Sequence, residues 1–532
     1  MNFPKWTPST AFSKQEQALM RRLGRTRKLF AFLREHRREI FDDAFQTELE
    51  SMYRTTGAGK MAVSPALMAM ATLLQGYVGA SDAEVVELTV VDLRWQMVLD
   101  RLGTSEPAFS QGAFYDFRHR FIRADMDRRL LEKTAEIAHR SKAFDPKKLP
   151  KTLRTAFDSM PLEGAGRVED TINLLAHAAR KIIACVATLI SWSEARVARE
   201  AGATLFTVSS VKRALDIEWS DPVAKAGAVP TLVAQLDALE TWVRKRLPEE
   251  CSEPPLNEHL ATLQQLRDQD LEPDPSGGRT RIRKGVAPDR RISIEDKEMR
   301  HGRKSKTKRF DGYKRHIASD LDTSLILACA ITPANRPEQE AAAELQNDIG
   351  RFPRRSKIGQ LFIDRGYIKS PVVNDVLDAG GAVVCKPWRV ANGGRFDKTD
   401  FNFDFRRQLL TCPAGRTQPF TLDSVVEFDP PTCKTCPLSA RCTKPRSKSG
   451  RLVRVANDEP FQHRLRKLIA TPTGRERLRE RTSVEHRLAH LARKQGRRAR
   501  YRGVRKNLFD VRRAASVINL ETIQRAQLEI AA

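Results

Sequence analysis

A mixed α+β fold is predicted, with an all-helical N-terminal region, an α/β core, a large helical insertion and a small cysteine-rich one. Three observations predict it. Residues 1–150 carry helical patterning, short apolar strands alternate with helices near 151 and again beyond 310, and the stretch between returns to helical spacing. A chain of 532 residues also exceeds what one compact core accommodates, and no repeat period divides it.

Within 1–150, helices are expected at 14–25, 27–35, 65–77, 83–88, 93–99 and 111–121. Pro65 opens the third, where a missing amide costs nothing, and Ser81 before Asp82 offers a cap for the fourth. The basic, Gly-containing loop 54–60 between them suits contact with nucleic acid. Residues 145–151 read as a polar hinge, after which 153–157 form a short strand ending at Asp158; the first core strand thus falls in 151–169. Ile182, Val186, Leu189 and Ile190 recur at helical spacing, which marks 170–270 as a helical insertion. The segment 271–309, dense in Arg and Lys with Pro and Gly, reads as a mobile basic connector.

The core resumes over 310–395. Strands at 313–318 and 324–331 flank the turn 319–322 as a hairpin, a helix spans 338–349, and the apolar strand 357–363 stops at Asp364 before a strand at 382–386. Residues 396–455 hold the cysteine-rich insertion. In 456–532 a long helix is expected at 474–493, and a second, 507–528, closes the chain.

Charge narrows the function. Lys and Arg number 93 against 66 Asp and Glu, an excess of 27 spread along the chain. Such a surface calls for a polyanion, and nucleic acid is favoured over a membrane because each neutralised phosphate releases counterions. No basic segment followed by an apolar core and cleavage site marks secretion, and the longest apolar run, 182–192, is too short to span a bilayer. A cytoplasmic protein with no membrane partner is expected. Cys185, Cys251, Cys329 and Cys385 stand singly and read as small buried hydrophobes.

Asp158 and Asp364 each end an expected strand, which puts both at the rim of a sheet, where sites form. Glu485 lies in the helix 474–493, at the border of a core-facing stripe made by Val484, Leu488 and Leu491. Three carboxylates meeting at the rim suit two Mg2+ ions, which take hard oxygen ligands and keep positions open for water and phosphate. One helical turn separates Arg481 from Glu485, so its guanidinium stands on the same face, able to hold a phosphate.

The residues around these acids carry more. Asp158-Ser159, Asp364-Arg365-Gly366-Tyr367 and Arg481-x-x-x-Glu485, in this order, resemble the DDE transposases of bacterial insertion sequences. So do Ser64-Pro65-Ala66-Leu67-Met68, Leu73-Leu74-Gln75-Gly76-Tyr77, Ser81-Asp82 and Asp92-Leu93-Arg94-Trp95, which look like that family's N-terminal helical domain. Phe310-x-Gly312-Tyr313-Lys314-x-His316 and Pro333-Ala334-Asn335 look like its second and third core strands and the following turn. The resemblance implies a ribonuclease H-like catalytic core with Asp158, Asp364 and Glu485 as ligands of two Mg2+ or Mn2+ ions and Arg481 beside them. It implies double-stranded DNA as partner, at the element's terminal inverted repeats and at the target, with a homodimer holding two ends. Where many relatives place a Tyr before the Arg and a Lys after the Glu, Leu478 and Ala492 stand here; Arg493 and Lys494 are the nearest substitutes as phosphate contacts.

Cys412, the pair Cys433-x-x-Cys436 and Cys442 lie within one short stretch. A Cys-x-x-Cys step presents two sulfurs to one tetrahedral ion, so structural Zn2+ is the first reading, with an iron–sulfur cluster and a chance group of free thiols as alternatives. In the resembled family a similar cysteine-bearing insertion precedes the last catalytic helix. DNA contact is expected from Arg303, Lys304 and Lys314 on one side, and from Arg493, Lys494, Arg497, Arg498, Arg500 and Lys506 on the other. Two further functions stay open beside transposition: a ribonuclease H-like DNA nuclease that hydrolyses without joining, and a catalytically dead DNA-binding derivative.

Overall fold

The computed structural model describes residues 4–23, 28–53, 63–140, 143–145, 147, 149–275, 277, 280–352, 355–444 and 449–531. The basic loop expected at 54–60 lies outside them. The N-terminal region is helical as expected: α1 (Lys14–Arg22), α2 (Lys28–Ile40), α3 (Asp43–Glu50), α4 (Pro65–Val78), α5 (Asp82–Val91), α6 (Leu93–Leu99), α7 (Gln111–Arg123) and α8 (Met126–Arg140). Pro65 is the first residue of α4, and Ser81 closes a reciprocal cap with Glu84 at the start of α5.

Strand β1 (Leu153–Glu163) follows, then the helical insertion: α9 (Thr171–Leu189), α10 (Glu194–Glu200), α11 (Val211–Ala214), α12 (Pro222–Arg246) and α13 (Leu256–Asp270). By length and composition α9 is apolar enough to cross a membrane, longer than the run counted in the sequence. Its Ile172, Leu175, Ile182 and Val186 are buried against Leu232, Leu236, Leu263 and Leu266 in the insertion's own core.

The segment expected as a mobile connector is instead built into the structure. Strands β2 (Leu271–Pro273) and β3 (Thr280–Ile282) pair with each other, and β4 (Arg300–Arg303) joins the edge of the main sheet. Leu271, Ile292 and Met299 are its buried apolar anchors, and buried Asp296 accepts a hydrogen bond of 2.5 Å from the Tyr313 hydroxyl. So few apolar anchors among so many charges leave no periodicity to read, so the sequence alone suggests a loop.

The rest of the sheet comes from β5 (Arg309–Asp320), β6 (Ile326–Pro333), β7 (Ile358–Phe362) and β8 (Ala382–Val384), with α14 (Ala342–Gly350) between β6 and β7 and α15 (Pro371–Asp378) between β7 and β8. Its order is β4-β5-β1-β7-β8, with β6 also hydrogen-bonded to β5. β5 pairs antiparallel with β1 and β6, whereas β7 runs parallel to β1 and β8 parallel to β7. The hairpin at 319–322 forms as expected, its Asp320 side chain taking the hydroxyl hydrogen of Thr323.

A small, mostly β unit interrupts the core: β9 (Asn402–Asp404), β10 (Leu409–Thr411) and β11 (Thr417–Pro419) form one sheet, and β12 (Ser424–Glu427) pairs with β13 (Leu452–Val455) around α16 (Pro430–Thr435) and α17 (Ser439–Cys442). The last helices are α18 (Glu459–Ala470), α19 (Pro472–Glu480), α20 (Thr482–Gln495) and α21 (Val504–Ala531). The single long helix expected at 474–493 is therefore two, broken at Arg481.

Alternation decides what each sheet face meets. Phe157, Leu361 and Val383 point into a core shared with Phe30, Leu74, Trp95 and Phe117 of the N-terminal helices, along with Phe509 and Val517 of α21. Ala156, Phe362 and Val384 point the other way, into a core shared with Val484, Leu488 and Leu491 of α20. The second face carries the site.

Candidate active site

β1 and β7 run side by side until Ala156 pairs with Phe362. Two residues further on, in the same pleat orientation, stand Asp158 and Asp364, so parallel register alone puts them next to each other on the face covered by α20. β7 ends there, but β1 does not. It continues to Glu163, paired with β5 as far as Gly312, and the expectation that the first strand ends at Asp158 is thereby corrected. The reason is β5, a partner 150 residues away that local patterning cannot announce. Between the end of β7 and the parallel bridge of Glu163 to Arg498, β1 is an edge, which is where Pro161 is tolerated.

Asp364 caps a short turn, accepting the Gly366 amide at 2.8 Å, while Asp158 accepts the Ser159 amide at 2.9 Å. Glu485 reaches the pair from the first turn of α20, and the join is made by Arg481. Its Nη1 lies 3.3 Å from Asp158 Oδ2 and its Nη2 2.5 Å from Glu485 Oε1. The break between α19 and α20 falls on this residue and lets α20 lie along β1 and β5.

These side chains line a cavity of about 360 Å3 together with Glu338, Arg303, Lys304 and Lys314. Its ionisable donors comprise four carboxylates and four cations, without thiol or imidazole, a donor set that suits hard divalent cations. Burial pushes the Asp158 carboxyl up to about 6 against the pull of Arg481, with Asp364 and Glu485 adding to the rise. Among the described residues no three His, Cys, Asp or Glu side chains stand at ion-holding distance as they are, and the Arg481 guanidinium is what lies between Asp158 and Glu485.

Behind the aspartates runs a buried polar chain. His316 and Tyr367 are both shut off from solvent, with Nδ1 2.7 Å from the Tyr367 hydroxyl and Nε2 2.9 Å from that of Thr332. Burial drives His316 down to about 3, which keeps the imidazole neutral. Ser159 donates its hydroxyl to Glu338 Oε1 at 2.6 Å. Glu338, at the turn after β6, was not singled out from the sequence. Its only signal there is its place directly behind Pro333-Ala334-Asn335.

A second cavity of about 500 Å3 adjoins the first and shares Asp364, Arg481 and Glu485 with it. Arg365, Lys386, Arg475 and Arg479 line it, and none of the four is in an ion pair among the described residues. These cations were also missed, because they come from four separate segments. Leu478, at the position of the relatives' Tyr, lines this cavity too.

The expected DNA contacts divide. Arg303, Lys304 and Lys314 line the carboxylate cavity. The other six do not. Arg497 pairs with Glu163 at 3.1 Å, Arg498 donates to the carbonyls of Gly164 and Ala165, and Arg500 donates to those of Gly79 and Ala80. Lys494 is held by Glu521 at 2.6 Å, Arg493 lines a separate cavity with Arg487 and Arg525, and Lys506 is exposed. Much of this basic stretch ties α20 and α21 to β1 and to the N-terminal helices.

Cys412, Cys433, Cys436 and Cys442 line one cavity of about 750 Å3, which shares no lining residue with the carboxylate cavity. All four thiols are free; the three others raise Cys442 after burial has done so, and no three approach to ion-holding distance among the described residues. Cys329 and Cys385 are buried as expected, whereas Cys185 and Cys251 are half-buried.

Residues 283–520 match the family model described as Transposase DDE domain, and residues 23–120 match the Transposase domain (DUF772). No curated protein and no solved structure matches the chain. The first match begins after the helical insertion, so it holds Asp364 and Glu485 while Asp158 is supplied by β1 across the sheet. With both of these domains matched in order, the chain belongs to the DDE-type transposases of insertion sequences.

Proposed function

We propose that this transposase cuts the ends of its element and joins the freed 3′-hydroxyl to target DNA by two-metal phosphoryl transfer on a ribonuclease H-like core. The observation that carries the reading is the meeting of Asp158, Asp364 and Glu485 around Arg481. The sheet order, with three antiparallel strands followed by two parallel ones, supports the ribonuclease H-like assignment.

Two Mg2+ or Mn2+ ions supply Lewis acidity at the attacking and leaving oxygens. Asp158 and Asp364 are assigned as their principal ligands, and Glu485 as the ligand that arrives with α20. Arg481, released from its carboxylates, holds a non-bridging oxygen of the scissile phosphate. Lys314, Arg303 and Lys304 hold the backbone on one side; Lys386 and Arg479 hold it on the other, with Arg365 and Arg475, which form no ion pair among the described residues and donate to the carbonyls of Pro387 and of Ile469 and Ala470. Residues 1–150 are assigned to DNA-end binding, 170–270 and 396–455 to insertions in the core, and a homodimer to the pairing of two ends. The cysteine cavity is assigned to one structural Zn2+, because four thiols around a common space fit a tetrahedral thiolate site.

The test is a strand-transfer assay with pre-cut oligonucleotide ends and plasmid target. Joined product supports transposition. Cleavage of uncut ends without joining reduces the function to a nuclease, and loss of neither activity in Asp364→Asn removes the site.

A further inference from the structure

A fourth carboxylate, Glu338, faces the same cavity as Asp158, Asp364 and Glu485. Glu338 sits on the single turn Glu338–Ala341 that follows β6 and lines the cavity beside Asp158 and Asp364. Its placement is specific on both oxygens. Oε1 takes the Ser159 hydroxyl at 2.6 Å, from the residue directly after Asp158. Oε2 packs where a side chain on Gly366 would need to be, so that a Cβ there would collide with it; Gly366 is two residues after Asp364. Both aspartate motifs therefore carry, next to the acid, a residue shaped to admit Glu338: a small hydroxyl donor in one and no side chain in the other. Lys314 and Arg481 act on it as opposite charges, and Asp364 bears on it as a like charge.

We propose that Glu338 is a positioning residue for the divalent cations, a fixed negative charge behind Asp158 and Asp364 that draws an ion, with its water shell, toward that pair. The proposal rests on the metal-dependent reading of the site. An alternative role, in which Glu338 merely anchors Ser159 and hence β1, needs the hydrogen bond but not the charge. Glu338→Gln separates the two, since its amide oxygen still accepts from Ser159.

The experiment is Mn2+ binding to the full chain without DNA, followed by the electron paramagnetic resonance of free Mn2+, alongside thermal unfolding. Glu338→Gln is expected to bind Mn2+ about 10-fold more weakly than wild type, as is typical when a group outside the direct ligands is lost, with its unfolding midpoint unchanged. Cleavage by this variant is expected to recover as Mn2+ is raised. Equal Mn2+ affinity in Glu338→Gln and wild type overturns the proposal. Should that variant unfold, Ser159→Ala decides: it breaks the hydrogen bond and keeps the charge, so an Mn2+ affinity near that of wild type is expected, and a loss of about 10-fold there overturns the proposal in favour of the anchoring role. A wild type that binds no Mn2+ and cuts no DNA, like Asp364→Asn, defeats the metal-dependent reading itself and not Glu338 alone.

Discussion

Arg481 holds Asp158 at 3.3 Å, and its other terminal nitrogen is occupied by Glu485. A guanidinium thus spans two carboxylates assigned to divalent ions, and it competes with those ions for the same oxygens. Arg481→Ala is expected to split two readouts. Mn2+ binding without DNA becomes tighter, because a competing cation is gone, while cleavage at saturating Mn2+ falls by about 100-fold for want of a fixed donor to the phosphate. Parallel losses in both contradict this assignment.

The raised Asp158 carboxyl gives the site a pH signature. An acid whose value rises on folding, here from 3.8 to about 6, stabilises the fold only while protonated. Its contribution is present below the unfolded value and lost as pH climbs through that window, at a cost of about 3 kcal/mol above it. Mg2+ offsets this cost only where Asp158 is ionised. The gain in unfolding temperature on adding Mg2+ is therefore expected to be larger at about pH 8 than at about pH 5; an equal gain contradicts it.

Tyr367→Phe removes the hydroxyl 2.7 Å from His316 Nδ1 and leaves a buried imidazole nitrogen without that partner. The expected loss is about 1–3 kcal/mol, read as a lower unfolding temperature. For His316 itself the sign is opposite to Asp158: its value falls on folding, so the stability it confers is present above about 6.5 and is lost as pH falls toward 3. A Tyr367→Phe protein as stable as wild type shows that the buried chain contributes nothing.

Replacing Arg365, Lys386, Arg475 or Arg479 by Ala tests the second half of the backbone track. Each is expected to weaken binding of an end-containing duplex on every sequence alike and to lower the salt slope by about 1. Arg497→Ala, whose side chain is paired with Glu163, is expected to change that slope less. An Arg497 effect larger than those of the four reverses the assignment.

The cysteine cavity predicts one Zn2+ per chain by elemental analysis of protein purified without chelator, falling to none in Cys433→Ser/Cys436→Ser. Full loading of the double variant excludes the site.

Much of this was legible in sequence. The apolar strand before Asp364 and the stripe Val484, Leu488, Leu491 beside Glu485 are local patterns, and each formed within a residue or two of its expectation. What escaped depends on distant partners. β1 runs past Asp158 because β5 pairs with it, and the helix around Arg481 breaks with no Gly or Pro to mark the place. The basic stretch beyond Gln495 shows its charge in sequence but not that Arg500 is spent on the carbonyls of Gly79 and Ala80. Glu338 is one acid among many until Ser159 and Gly366 are seen around it.

The central claim, that three acids distant in sequence share divalent ions, is tested most directly by anomalous diffraction from crystals of the full chain soaked in Mn2+. A peak is expected within bonding distance of carboxylate oxygens of both Asp158 and Asp364, with Glu485 turned toward it and Arg481 displaced. A soaked crystal whose Mn2+ peaks lie elsewhere, with Arg481 still clasping Asp158 and Glu485, contradicts it.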